Sequence, residues 1–174
     1  METGCEPPRV VAGMPMYNEE ETIGTVVTMA LRHVDEVICI DDGSSDSSAR
    51  IAEACGATVI RHRGNQGYGA ALKTLFKATR DSDADILVVL DSDGQHDTAD
   101  IPKLIQPILD EEADFTIGSR FVEGGEGNDM PAYRRLGIKV ITAASNLTSD
   151  LGIKDTQSGL SLIHISEPTR LSWI

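Results

Sequence analysis

Five apolar residues in succession, Ile86-Leu87-Val88-Val89-Leu90, stand between Asp85 and Asp91. A run this short, with no polar alternation, reads as a strand covered on both faces, as in a parallel sheet between helices. That requirement shapes the whole chain, because each parallel neighbour must be reached by a crossover that supplies a covering helix. The run stops in Asp91-Ser92-Asp93-Gly94-Gln95-His96. In extended backbone residues i and i+2 point the same way, so Asp91 and Asp93 leave the strand end as a pair. Two carboxylates held that close repel one another. A hard divalent cation relieves the repulsion and keeps coordination positions for phosphate oxygens. A structural turn is the alternative, although the residues suited to capping the next helix, Asp97 or Thr98 ahead of Ile101-Pro102, lie downstream. A calcium loop of EF-hand type fails on spacing, since glycine is fourth from Asp91 and Pro102 stands twelfth.

Upstream, residues 9–14 form a first expected strand ended by Pro15, and a loop over 16–22 opens a helix with Ile23, Val26, Val27, Ala30 and Leu31 on one face. A second strand over 36–40 runs into Asp41-Asp42-Gly43-Ser44-Ser45-Asp46, and a helix follows to Cys55, stopped by Gly56. The third strand, Thr58–Arg61, leads through Gly64-Asn65-Gln66-Gly67-Tyr68-Gly69 to a helix over 70–79. After the apolar run come a helix near 101–111 and a strand over 115–118 that ends in Ser119-Arg120. Residues 124–129 read as a flexible loop, and 136–151 as a further helix beyond Arg134-Arg135.

Strands alternating with helices at these intervals predict an α/β fold: a mostly parallel central sheet of right-handed crossover units with helices on both faces. Ligands of such sheets bind at the carboxyl ends of the strands, and every polar motif picked out above falls at one. The glycine loop after the third strand is spaced G-x-x-G-x-G, which is not the dinucleotide fingerprint G-x-G-x-x-G that follows a first strand. A generic anion or substrate loop and a plain tight turn both remain open for it.

Length suits one domain with a sizeable core. A formal net charge of -13 argues against general binding to nucleic acid or anionic membranes, so an anionic substrate must be met locally, by a metal and a few arginines. The three cysteines show no metal-ligand spacing, which points to a reduced, cytoplasmic setting. No secretory leader or membrane-length apolar run is expected from the residues printed.

In order along the chain, Pro15-Met16-Tyr17-Asn18-Glu19-Glu20, Asp41-Asp42-Gly43-Ser44-Ser45-Asp46, Gly64-Asn65-Gln66-Gly67-Tyr68-Gly69-Ala70-Ala71, Asp91-Ser92-Asp93-Gly94-Gln95-His96 and Gly118-Ser119-Arg120 resemble family 2 glycosyltransferases. Within that family the resemblance is to dolichyl-phosphate mannose synthases and related polyprenyl-phosphate hexosyltransferases. It implies a GT-A (Rossmann-like) nucleotide-sugar-binding fold and an inverting transfer with Mg2+ or Mn2+. The implied donor is a nucleotide sugar of GDP-mannose or UDP-glucose type, and the implied acceptor a polyprenyl (dolichyl) phosphate at the cytoplasmic face of a membrane.

Carried over by this resemblance, Pro15, Tyr17 and Glu19 match the first nucleotide-binding segment, and Asp42 the acid that holds the base or its ribose. Asp91 and Asp93 match the metal-binding acids, with Gln95 as a further ligand. Arg120 and Arg134 or Arg135 match basic positions near the donor diphosphate and acceptor phosphate, and Asp155 matches a late active-site motif. Asp91, Asp93, Arg120 and Asp155 are thus the expected catalytic set. Bland readings stand beside these: Tyr17 packing, Asp42 and Asp46 capping the second helix, Arg134 and Arg135 facing solvent. With a hydroxyl acceptor in place of a phosphate, Asp155 is the candidate base. A nucleotide-binding fragment without activity is the remaining alternative.

After Asp155-Thr156-Gln157-Ser158-Gly159 the family pattern lapses, and the following residues resemble a translated sequencing adapter. Residues 1–160 are therefore expected to be the catalytic domain, truncated at its carboxyl end, and 161–174 a non-native tail in which His164 and Trp173 carry no functional weight.

Overall fold

A computed structural model of the chain describes residues 7–113, 115–117 and 160–164. Among the described residues six strands form one sheet: β1 (Val10–Met16), β2 (Glu36–Asp41), β3 (Thr58–Arg61), β4 (Ile86–Leu90), β5 (Phe115–Ile117) and β6 (Leu160–His164), in the order β3-β2-β1-β4-β6-β5. β2 and β4 pair with β1 in parallel, as β3 does with β2, whereas β6 runs antiparallel between β4 and β5. Between the strands lie α1 (Ile23–Ala30), α2 (Ser48–Ala54), α3 (Tyr68–Arg80) and α4 (Ile101–Leu109).

Alternation along the strands divides the core between the two faces. Val10, Ala12, Met14 and Met16 of β1, with Ile86, Val88 and Leu90 of β4, pack against α1, α2 and α4. Val11 of β1, Ile38 and Ile40 of β2, and Leu87 and Val89 of β4 turn the other way, onto Ala71 and Leu75 of α3. α1 buries Ile23, Val26, Val27 and Ala30, the single stripe its spacing predicts. On the opposite face α3 presses close to β1: a Cβ on Gly13 would stand 2.4 Å from a Leu75 methyl. Helices therefore cover both faces of a largely parallel sheet, as expected.

Several boundaries differ from the sequence reading. β1 continues through Pro15 to Met16. The Pro15 carbonyl accepts from Ser92 Oγ, so its nitrogen faces the same side, past Gly13, where the β1–β4 ladder ends. A missing N–H there breaks no ladder bond. α3 begins earlier, at Tyr68, and α4 is preceded by a 3-10 turn, Thr98–Asp100, whose first amides are capped by Asp97 through Ala99 N. The segment 161–174 contributes residues 161–164 to β6. The expected loop over 124–129, the helix over 136–151, and Arg120, Arg134, Arg135 and Asp155 lie outside the described residues.

Candidate active site

Chain order reverses across the sheet at β1: β2 and β3 lie to one side and β4 to the other. A crevice is expected beyond the carboxyl ends of strands at such a switch point. An open cleft of about 270 Å³ occupies it, lined by Pro15, Met16, Tyr17, Glu19, Asp42, Asn65, Gly67, Tyr68, Ala71, Asp91, Ser92 and Asp93. Pro15, Tyr17, Glu19, Asp42, Asp91 and Asp93 of the expected site residues are thus brought together. Gln95 is exposed and is not among the cleft residues; its amide donates to Asp93 Oδ1 at 2.9 Å.

The loop after β1 is sewn to the loop after β2. Asn18 adopts a left-handed backbone, φ 55°, with its amide on Ser44 Oγ (2.9 Å) and its Oδ1 accepting from Ser45 N (2.9 Å). Glu19 N donates to Ser48 Oγ at 2.7 Å, and Glu20 N to Asp46 Oδ2 at 3.2 Å. Asp46 Oδ1 accepts from the Ser48 amide at the start of α2, so the capping role does fall to this residue. Burial works to raise the Asp46 pKa, but hydrogen bonds from the Ser48 hydroxyl, the Ser48 amide and the Glu20 amide hold the carboxyl below its ordinary value. Asp41 is wholly buried; its Oδ1 accepts from Ser44 N (2.8 Å) and its Oδ2 lies 3.0 Å from Arg61 Nε.

Asp42 does not cap α2. Its carboxylate crosses to the glycine loop, where Oδ1 accepts from Gln66 N (2.9 Å) and Oδ2 from Gly67 N (2.7 Å), the two residues just ahead of α3. It thereby ties the glycine loop ahead of α3 to the end of β2. Gly43 makes the approach possible: it holds φ +80°, and a Cβ there would stand 2.6 Å from Gly64 Cα. His62 completes the junction, with Nδ1 2.7 Å from Asp42 Oδ1 and Nε2 2.9 Å from Thr74 Oγ1. Burial pushes the Asp42 pKa up, but the bonds from Gln66, His62 and Gly67 outweigh it and hold the acid ionised below its ordinary range. His62 was not singled out from sequence. Its position directly after Arg61, at the carboxyl end of β3, was the available signal.

On the other wall, Ser92 holds the turn between the two acids. Its buried Oγ donates to Pro15 O at 3.0 Å, and its carbonyl accepts from Thr22 Oγ1 at 2.8 Å. Gly94, at φ +75°, closes the turn. Both turn and acid pair are therefore real, and Asp91 and Asp93 line the same cleft. Tyr68, half-exposed at the first position of α3, faces this region; burial and then the charge of Asp91 push its phenol pKa up, which keeps it protonated at neutral pH. Tyr17 is 47% exposed at the cleft rim rather than packed away.

Among the described residues no group of three or more His, Cys, Asp or Glu gathers as a metal cage. Two carboxylates opening on a cleft suit a hard cation that takes its remaining ligands from phosphate and water, the habit of Mg2+ and similar ions. The donor set fits on that ground.

A switch-point cleft with paired acids after β4 and a glycine loop ahead of α3 belongs to an α/β domain of GT-A type. The family model described as "Glycosyl transferase family 2" matches residues 12–166, and the chain belongs to that family. It is 33% identical over 165 residues to the UDP-N-acetylglucosamine–dolichyl-phosphate N-acetylglucosaminyltransferase of Methanococcus voltae, a match covering 84% of this chain and 66% of that protein. It is also 33% identical over 156 residues to the dolichol-phosphate mannosyltransferase of Pyrococcus furiosus, covering 84% of this chain but 43% of the relative. Among solved structures, glucosyl-3-phosphoglycerate synthase from Mycobacterium tuberculosis in complex with Mn2+, UDP-glucose and phosphoglyceric acid superposes with a TM-score of 0.67 at 25% identity, covering 90% of this chain and 57% of that one. The chain thus spans two thirds or less of each of these proteins.

Proposed function

We propose that the chain carries the donor-binding part of a metal-dependent, inverting hexosyltransferase that moves a hexose from a nucleotide sugar, of GDP-mannose or UDP-glucose type, to a polyprenyl phosphate. The observation that supports this most directly is the placing of Asp91 and Asp93 in one cleft with Tyr17, Glu19 and Asp42. In this reading Pro15, Tyr17, Glu19 and Asp42 hold the nucleoside, and Asp91 and Asp93 face the diphosphate. Mg2+ or Mn2+ held by these two acids would neutralise the charge that builds on the leaving nucleoside diphosphate. Tyr68, protonated beside Asp91, has a hydroxyl to donate to a diphosphate oxygen. A phosphate monoester is largely a dianion at neutral pH, so the acceptor needs no strong base. Its oxygen attacks the sugar's anomeric carbon from the face opposite the diphosphate, and the bond to the diphosphate breaks with its electron pair. Alignment and neutralisation of the acceptor fall to the forked guanidinium groups of Arg120, Arg134 or Arg135.

Among the described residues no helix is long and apolar enough to cross a membrane. In this reading the enzyme meets its lipid acceptor at the cytoplasmic surface of a membrane. The synthase complex that contains phosphoglyceric acid favours one second reading, transfer to a small hydroxyl acceptor with Asp155 as base.

Calorimetric titration with GDP-mannose and UDP-glucose, in Mn2+ or in chelator, tests the donor site. Binding is expected to need both the metal and the acids, and to vanish in Asp91→Ala/Asp93→Ala. Supplying polyprenyl phosphate should then yield a labelled glycolipid. Products formed only on hydroxyl acceptors, with activity lost in Asp155→Asn, would select the second reading.

A further inference from the structure

An ionised carboxylate offers about four lone-pair positions, roughly two on each oxygen. On Asp42 three are filled from within the protein. Oδ1 takes both the His62 ring (2.7 Å) and Gln66 N (2.9 Å), and Oδ2 takes Gly67 N at 2.7 Å. By this count one position is left, on Oδ2, and Asp42 is among the residues that line the cleft. An acceptor-only carboxylate requires Nδ1 of His62 to carry the proton, and in the neutral ring Nε2 then accepts from the Thr74 hydroxyl on α3. The His62 side chain is 9% exposed and is tied at both nitrogens, so Oδ1 stays occupied.

We propose that His62 is a positioning residue that sets base preference: by filling Oδ1 it leaves Asp42 a single acceptor position, which suits the one ring N–H of uracil over the paired N1–H and exocyclic amine of guanine. This rests on the donor reading of the cleft and deepens it by naming a uridine diphosphate sugar as the substrate class. Guanine would bring two donors side by side to a carboxylate with room for one. The second would find no acceptor position on Asp42, or would have to displace His62 or Gln66. A site built to hydrogen-bond one polar edge discriminates strongly against an edge that leaves a donor unmet.

The test uses the whole chain with Mn2+, titrated calorimetrically with UDP, GDP and N3-methyl-UDP. UDP is expected to bind about tenfold or more tightly than GDP, and methylation of the single ring N–H to cost about tenfold. GDP binding as tightly as UDP, or indifference to N3-methylation, overturns the inference and leaves the donor reading standing. Binding of no nucleotide overturns both. His62→Leu opens Oδ1 and should lower the ratio of UDP to GDP affinity severalfold. His62→Asn, whose amide N–H can stand where Nδ1–H stands, should preserve that ratio. An unchanged ratio in a His62→Leu protein with native circular dichroism refutes the part assigned to His62, because a purely structural role lowers both affinities together.

Discussion

Ser92 stands between two acids and ties the turn that carries them to β1 and to Thr22. Its hydroxyl is buried against the Pro15 carbonyl, at the place where β1 has no ladder partner from β4. Removing the hydroxyl leaves that carbonyl without its donor, a loss of about 1–3 kcal/mol for a buried group. Ser92→Ala should therefore lower the urea midpoint by the equivalent of that loss and also weaken Mn2+-dependent nucleotide binding, although Ser92 carries no charge. A variant that loses stability but binds with wild-type affinity would show that Asp91 and Asp93 are held by something other than this bond. The acids themselves were legible from sequence, since a strand buried on both faces and ending in Asp-x-Asp announces them. The bond that ties their turn to β1 was not, because it joins residues 77 apart. His62 and Asp42 repeat the lesson: their partnership depends on β3 lying beside β2, which no local pattern states.

Among the elements, the strands read from sequence with least error were β3, a β-branched run between Gly56 and the polar Arg61-His62, and β4, an apolar run bounded by Asp85 and Asp91. β1 was cut short at Pro15 because the usual penalty for a strand proline assumes a neighbour that β1 lacks there. The antiparallel insertion of β6 between β4 and β5 was not foreseen, since its residues after Leu160 were assigned to a tail. At the loops, two glycines separate strain from contact. Gly67 holds φ +90° with open space around its Cβ position, whereas Gly43 holds φ +80° with Gly64 Cα 2.6 Å from that position. Alanine at 67 should cost the backbone strain alone, about 1–3 kcal/mol, and alanine at 43 the same strain plus separation of the two loops. Denaturant midpoints of Gly43→Ala and Gly67→Ala measure the difference. Equal losses would mean that the loops part freely and that Asp42 is not held against α3 by close approach.

For the whole molecule, the distribution of perturbed acids sets the response to pH. Asp42 and Asp46 both sit at the carboxyl end of the sheet, and hydrogen bonds hold both below the ordinary carboxylate range. A carboxyl with a depressed folded-state pKa contributes stability that is fully present above its unfolded value, near 4, and is lost as pH falls through the folded value. Acid should accordingly weaken the cleft end of the sheet below about pH 4. A second effect has the opposite sign, because protonating acids in a chain of net charge -13 relieves self-repulsion. The two separate on comparing wild type with Asp46→Asn, which keeps nearly all of the charge but loses the anchored carboxylate. The variant is expected to be less stable than wild type at pH 7, and the gap between their urea-unfolding curves to narrow steadily from pH 5 to pH 2.5. A gap that stays constant across that range would mean that the bonds from Ser48 and Glu20 do not favour the ionised form, and that acid sensitivity follows net charge alone.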